Sequence, residues 1–302
     1  MTTWTVRDIP PLTGVNALVT GASSGIGVPT ALELARRGAR VLLAVRDPAR
    51  GRATADRIRD LVPGADVEHG RLDLADLRSV REFAGTVTGP LDLLVNNAGL
   101  GMVRRGTTAD GFETQFGVNH LGHFALTGLL LPRLLARGEG RPTARVVTVS
   151  SDAHAWGRID FDDLALERRY GRFSAYGRSK LANLMFAREL QRRADEAGAG
   201  LLSLAAHPGA TATPFVKAGP LTGALVAVAR LMMRSPEEGA VPSLYAATSP
   251  DARGGEFIGP GPKRLTPSAK AYDEGVARRL WEVSCELTGV DFAQFGRHAT
   301  HG

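Results

Sequence analysis

The stretch from Asn16 to Val45 constrains the fold more than any other part of the chain. An apolar run, Asn16-Ala-Leu-Val-Thr20, leads into Gly21-Ala-Ser-Ser-Gly-Ile-Gly27. A helix-like segment from Thr30 to Arg37 follows, with Gly38 placed to end it, and then a second apolar run from Arg40 to Val45. Runs that are apolar at consecutive positions suit strands buried on both faces, as in a parallel sheet. Strand, glycine turn, helix and strand within roughly 30 residues make a βαβ unit. Glycines in that turn let the backbone approach a pyrophosphate, and the amides at the helix start bind its charge. Gly21, Ser23, Ser24, Gly25, Ile26 and Gly27 are therefore candidate dinucleotide contacts, although Gly-x-x-x-Gly-x-Gly also fits a purely structural turn. Pro29 lies near enough to the helix start to be tolerated.

The end of the second strand bears on which dinucleotide fits. A carboxylate there bonds the ribose hydroxyls and repels a 2′-phosphate. Here the strand ends Val45-Arg46-Asp47. An apolar residue followed by Arg46 favours NADP(H) over NAD(H); Asp47 argues the other way, and an exposed loop role for Arg46 is the plain alternative.

A helical stretch from Pro48 to Leu61 precedes a third strand, Asp66 to Asp73. Asp73 could accept from an adenine amino group, and Asp73 and Leu74 are counted as cofactor contacts. A helix from Leu77 to Val87 comes next, then a fourth strand, Leu91 to Val95, which runs into Asn96-Asn-Ala-Gly99. In that turn Asn97, Ala98 and Gly99 leave room for the adenosine side of a cofactor, and the asparagines also satisfy turn backbone. The helix expected from about Gly111 to Leu135 carries Asn119 in its middle. Asparagine is a poor helix former, so it needs a hydrogen-bonding reason or a solvent face there. A fifth strand, Ala144 to Ser150, delivers Ser151 to its carboxyl end, where open parallel sheets place their ligands.

From Ser174 to Leu190 the apolar spacing is helical, which puts Tyr176 and Lys180 one turn apart on one face. A nearby fixed cation lowers an acid's pKa by roughly 1–3 units. The expectation is a phenol tuned downward by Lys180 for proton transfer. A sixth strand, Leu201 to Ala206, ends at His207-Pro-Gly209, with His207 read as a packed strand-end residue. The apolar segment Phe215 to Met233 is read as a substrate lid, with a partner surface or a shallow membrane contact as alternatives. Ser235-Pro-Glu-Glu opens a further helix, Gly254 to Gly259 is the expected last strand, and a peripheral helix bearing Trp281 closes the chain.

Composition removes several other classes. With 302 residues, 43% of them hydrophobic, a sizeable core is available. No apolar stretch reaches the ~18–20 residues of a membrane span, and the opening residues lack a signal-type apolar core, so a cytoplasmic address is expected. The one cysteine, Cys285, excludes an internal disulfide and is read as a packing residue. No metal-ligand spacing occurs. The net charge of +6 comes from scattered arginines with no basic run, which argues against a nucleic-acid partner.

Taken in order, Thr20-Gly-Ala-Ser-Ser-Gly-Ile-Gly27, Asn96-Asn-Ala-Gly99, Asn119, Ser151 and Tyr176-x-x-x-Lys180 resemble the short-chain dehydrogenase/reductase family, over about Gly14 to Gly259. The long link from His154 to Arg172, together with Ser179-Lys-Leu-Ala-Asn183 and His207-Pro-Gly209, is similar to the retinol dehydrogenase-like branch. Members of that branch often act on lipophilic alcohols and carbonyls. The resemblance implies an α/β fold: a single doubly wound Rossmann-type domain with a mostly parallel central sheet. Its dinucleotide half would run from about 14 to 150, its catalytic and substrate half from about 151 to 265, and its C-terminal peripheral helix from about 268 to 290.

It also implies an oxidoreductase interconverting an alcohol and a ketone or aldehyde, with NADP(H) preferred and NAD(H) possible. Tyr176 would be the general acid/base and Ser151 a hydrogen-bond donor to the substrate oxygen. Lys180 would bond the nicotinamide ribose, and Asn119 would hold a water linking Lys180 to solvent. Pro208 and Gly209 would run beside the nicotinamide, with Thr213 a candidate for the carboxamide or phosphate. Relatives often pair through the helices bearing Asn119 and Tyr176, so a homodimer or homotetramer is open. The competing reading is a non-catalytic NADP(H)-binding regulatory or interaction protein on the same fold.

Overall fold

The structure is a computed structural model, and it describes residues 4–136, 143–211 and 234–299. Thr213 and the segment 215–233 lie outside the described residues. The strands are β1 (Asn16–Thr20), β2 (Arg40–Val45), β3 (Val67–Arg71), β4 (Leu93–Asn96), β5 (Arg145–Val149), β6 (Leu202–Ala206), β7 (Phe257–Gly259) and β8 (Lys263–Leu265). They form one sheet in the order β3-β2-β1-β4-β5-β6-β7-β8. Every neighbouring pair is parallel except β7 and β8.

The helices are α1 (Gly27–Arg36), α2 (Pro48–Leu61), α3 (Leu77–Thr86), α4 (Thr114–Phe116), α5 (Gly122–Leu135), α6 (Arg172–Glu196), α7 (Pro236–Thr248), α8 (Glu274–Thr288) and α9 (Gln294–Ala299). Several begin where a side chain satisfies orphan amides. Asp47 accepts from the Ala49 and Arg50 amides at the start of α2, and Asp76 does the same for Arg78 and Ser79 in α3. Ser235 and Glu238 cap α7 reciprocally.

Alternate residues of the strands enter two separate cores, because helices cover both faces of the sheet. Ala17 and Val19 of β1 join Leu34, Ile58 and Leu244 on one side. Leu18 of the same strand joins Phe83, Phe124 and Leu190 on the other. The chain winds outward from β1 to β3 and then crosses back to β4, which pairs with β1 in the register Leu18 to Leu94. This reversal opens a crevice beyond the carboxyl ends of β1 and β4, the place where such sheets bind ligands.

Three expectations change. The helix foreseen from 111 to 135 contains a π turn, Gly117–Leu121, between α4 and α5, with Asn119 at its middle. The strand foreseen as last is followed by antiparallel β8, a polar three-residue edge strand. The foreseen peripheral helix is a 3₁₀ turn at Ala269–Tyr272 followed by α8, and it is not peripheral at its inner face. Trp281 is 5% exposed and its ring lies 5.1 Å from Phe124 and 4.4 Å from Phe292. No helix among the described residues is long and apolar enough to cross a membrane.

Candidate active site

The glycine turn after β1 packs directly against the turn after β4. Gly21 has φ +67°, and a Cβ there would lie 2.8 Å from the Ala98 Cα; one at Gly27 would lie 2.5 Å from the Gly21 carbonyl and 2.7 Å from Asn97 Nδ2. Both positions therefore require glycine. No side chain caps the start of α1, so its first amides remain available to an anion alongside Ser23, Ser24, Gly25 and Ile26. Thr20 ties the two turns together. Its hydroxyl accepts from the Asn97 and Ala98 amides, each at 2.9 Å, and its carbonyl accepts from Asn97 Nδ2 at 2.8 Å. This cradle, with no room for a Cβ and with uncapped helical amides, fits a dinucleotide pyrophosphate.

At the end of β2, Arg46 is exposed. Asp47 Oδ1 caps the start of α2. Arg50, one turn into α2, reaches the Ser23 carbonyl at 3.4 Å. The sequence reading missed Arg50, because only the fold brings α2 back to the glycine turn. Arg50 and Ser23 edge an open groove of about 470 Å³ lined also by Ser24, Gly25 and Val28. Asp73 is half-buried, and its Oδ1 accepts from the Ala75 amide. Leu74 is 6% exposed, packed under Gly122, where an added Cβ would meet its carbonyl at 2.7 Å. The Leu74 side chain is thus a core residue.

The four candidate catalytic residues converge at the carboxyl edge of β4 and β5. Lys180 is 4% exposed, its Nζ donates to the Val149 carbonyl at 3.0 Å, and it lies 5.6 Å from the centroid of the Tyr176 ring. Gly99 lies against both Asn119 and Lys180, since a Cβ there would be 3.2 Å from Asn119 Oδ1 and 3.7 Å from Lys180 Nζ. Asn119 is fully buried; its Oδ1 accepts from the Leu100 amide and its Nδ2 donates to the Leu100 carbonyl and to Ser179 Oγ. That is the hydrogen-bonding reason a mid-helix asparagine needed. Ser151 Oγ accepts from the Ala153 amide and caps the 3₁₀ turn Asp152–Trp156.

The expected lowering of the Tyr176 phenol by Lys180 is not what this arrangement gives. Burial holds the phenol above its ordinary value, and the Ser151 hydrogen bond acts in the opposite direction. The reason is geometric: the ammonium sits by the ring and spends a hydrogen bond on Val149. Burial in turn pushes the Lys180 ammonium down to about 8. Pro208 and Gly209 form a turn after β6, with Gly209 donating to His207 Nδ1. His207 is 6% exposed and its Nε2 meets Asp152 Oδ2 at 2.9 Å, in keeping with a packed strand-end residue.

A buried ion pair involving α6, two residues beyond Tyr176 in the chain, was missed by sequence reasoning. Arg178 and Glu113 are 2% and 0% exposed at their side chains and meet at 3.0 Å. Glu113 also accepts from the Gln115 and Phe116 amides, Gln115 bonds the Met102 amide and the Tyr170 hydroxyl, and Tyr170 donates to the Val103 carbonyl. This network joins α6 to the 99–113 loop and to the long link before α6. On the outer side Met102, Trp156 and Phe173 are exposed, the last two 5.0 Å apart.

Comparison with known proteins agrees with this geometry. The family model for short chain dehydrogenase matches residues 15–220. Retinol dehydrogenase 12 of Mus musculus is 44% identical over 284 residues, covering 92% of this chain and 88% of that protein. Retinol dehydrogenase 13 of Homo sapiens is 43% identical over 291 residues, covering 92% and 86%. Among solved structures, an uncharacterized protein from Mycobacterium paratuberculosis superposes with a TM-score of 0.79 at 46% identity, over 96% of this chain and 99% of that one. The Pseudomonas aeruginosa RhlG/NADP active-site complex gives 0.64 at 28% identity, over 82% and 95%.

Removing one partner of the Arg178–Glu113 pair leaves a buried charge uncompensated, which costs roughly 3–5 kcal/mol. Glu113→Gln is expected to lower the unfolding free energy by about that amount in a guanidinium titration. Combining Glu113→Gln with Arg178→Met is expected to recover part of the loss, since no charge is then left unpaired and the side-chain amide oxygen still accepts from a backbone amide.

Proposed function

We propose that this chain, which belongs to the short-chain dehydrogenase/reductase family and is retinol dehydrogenase-like within it, interconverts an alcohol and a ketone or aldehyde on a lipophilic small molecule, using NADP(H) and Tyr176 as general acid/base. The observation that carries the reading is the convergence on Tyr176 of a desolvated ammonium, a serine hydroxyl and the glycine turn after β4. A Cβ at Gly101 would lie 2.9 Å from the Tyr176 ring, so the loop that continues the cofactor cradle closes directly over the phenol.

In reduction Tyr176 donates its proton to the substrate oxygen, and in oxidation it takes that proton back. A phenol held above its ordinary value stays protonated at neutral pH, as an acid should. Ser151 donates a hydrogen bond to the same oxygen and stabilises the charge developing there. Lys180 supplies the positive charge that stabilises the phenolate left on Tyr176. When bound, the nicotinamide ring provides or accepts the hydride. Asn119 fixes the Leu100 backbone, and through it the loop over the phenol.

Exposed Arg46 and nearby Arg50, with Asp47 engaged in its helix cap, support a 2′-phosphate and hence NADP(H). Exposed Met102, Trp156 and Phe173 around the first turn of α6 support an apolar substrate.

Three outcomes test the reading. Tyr176→Phe should abolish NADPH oxidation with retinal-like, steroid-like and other lipophilic carbonyls yet leave NADPH binding, followed by fluorescence, largely intact. Normal turnover would overturn the role of Tyr176. Arg46→Asp should raise the KM for NADPH by about tenfold or more and lower it for NADH; unchanged discrimination would remove Arg46 from the phosphate site. Because Lys180 must be charged to stabilise the phenolate and releases its proton near pH 8, reduction at saturating NADPH should be full below that pH and fall as pH rises through it. A rate still climbing at pH 9 would contradict the role given to Lys180.

A further inference from the structure

Beside the four candidate catalytic residues lies His123, which no part of the reaction above uses. It is 1% exposed and stands one turn beyond Asn119, at the start of α5. Its Nδ1 lies 2.9 Å from the Asn119 carbonyl oxygen and its Nε2 lies 2.9 Å from Thr20 Oγ.

Donor counting fixes the roles. A carbonyl oxygen only accepts, so Nδ1 carries the proton. The Thr20 hydroxyl already accepts from two amides, so its single proton points to an acceptor. The candidates are His123 Nε2 at 2.9 Å and the Val95 carbonyl at 3.4 Å. A charged imidazole would have to donate to an oxygen that already receives two hydrogen bonds. It would also lie buried in the field of Lys180, and burial first, with that charge adding to it, pushes His123 down to about 4. The consistent state is neutral, with Thr20 donating to Nε2 and Nδ1–H donating to Asn119. The result is a continuous chain from the amides of Asn97 and Ala98, through Thr20 and His123, to Asn119.

The position of that chain gives it a function. Asn119 sits in the π turn, where the Gly122 amide bonds the Gly117 carbonyl five residues back. Such a turn inserts a residue and is seldom stable by helix propensity alone. His123 anchors it from outside the backbone ladder. The other end of the chain holds the turn that contacts the cofactor.

We propose that His123 is a positioning residue that ties the cofactor-binding turn after β4, through Nε2, to the π turn carrying Asn119, through Nδ1, so that the cofactor turn depends on the first nitrogen and the geometry at Lys180 and Tyr176 on the second. This inference rests on the catalytic reading of Tyr176 and Lys180 for its kinetic arm alone.

The two ring nitrogens are tested separately. Asparagine can reproduce Nδ1 and glutamine Nε2. His123→Asn should keep kcat within about threefold of the parent while weakening NADPH binding by about tenfold, as the bond to Thr20 is lost. His123→Gln should do the reverse, with kcat down by about tenfold or more, a shifted alkaline limb in its pH profile, and NADPH affinity retained. Equal losses of kcat and affinity in both variants, tracking their loss of thermal stability and with an unmoved pH profile, would reduce His123 to a packing residue and overturn the proposal.

A second arm needs no turnover. Thr20→Val, His123→Leu and their combination are compared in NADPH dissociation constants measured by fluorescence on folded protein. Coupling through one chain requires that the double variant lose no more than the worse single one; additive losses would refute it. If the parent binds NADPH but reduces no carbonyl, the catalytic reading fails, and this cycle still decides the inference.

Discussion

An ammonium group withdrawn from water is costly unless the protein supplies partners and a reason for its charge. Lys180 is that group here, and much of the local architecture follows from accommodating it. Its Nζ donates to the Val149 carbonyl, which also accepts from Asn183 Nδ2 at 3.0 Å. Its own carbonyl accepts from Ser150 Oγ at 2.8 Å. The end of β5 and the third turn of α6 are thereby locked in register. Ser151, the next residue after that lock, and Tyr176, one turn before it, are held by the same bonds.

The sheet makes this lock useful. The order β3-β2-β1-β4-β5 puts β1 and β4 side by side with their carboxyl ends open, and β5 beside β4. The turns leaving β1 and β4 meet with no room for a Cβ at Gly21 or Gly27, while β5 carries Ser151 to the same edge. The glycine cradle and the four candidate catalytic residues become neighbours because neighbouring strand ends share one rim. No loop has to fold over a long distance to bring them together. The helices do the rest by burying both faces, which is why the middle positions of β1, β4 and β5 are mostly apolar.

That two-sided burial also explains what could be read from the chain alone. β1 and β2, and α2 from Pro48 to Leu61, are set by local signals: apolar runs, Gly38, and the Asp47-Pro48 start. The turns after β1 and β4 were legible for the same reason, since glycine and asparagine are demanded by the backbone itself. What was hidden depends on partners far away in sequence. Arg178 looks like a solvent residue until Glu113, 65 positions earlier, is placed beside it. The π turn around Asn119 depends on a contact between His123 and Thr20 across 103 positions. β8 carries two basic residues in a three-residue segment and pairs on one side only, so neither burial nor alternation marks it. The phenol's upward shift was hidden too, because helical spacing gives the nearness of Lys180 to the ring but not the direction of its ammonium.

The histidines around the site take their physical meaning from Lys180. His123 presents Nε2 to the Thr20 hydroxyl, His154 presents Nε2 to the Ser268 amide while its Nδ1 meets the Ser151 carbonyl, and His207 presents Nδ1 to the Gly209 amide. Each accepts through one nitrogen. The charge on Lys180 adds to burial in holding His123 and His207 below the ordinary histidine range. The effect is reciprocal: an imidazolium at either place would repel the ammonium and favour its loss of a proton. His123 and His207, held neutral, thus serve as rigid ties for the turns bearing Asn119 and Gly209, and they add no second positive charge to the one beside Tyr176. An aliphatic residue at these positions would leave the charge alone but could not tie the turns, and an arginine or lysine would reverse that compromise.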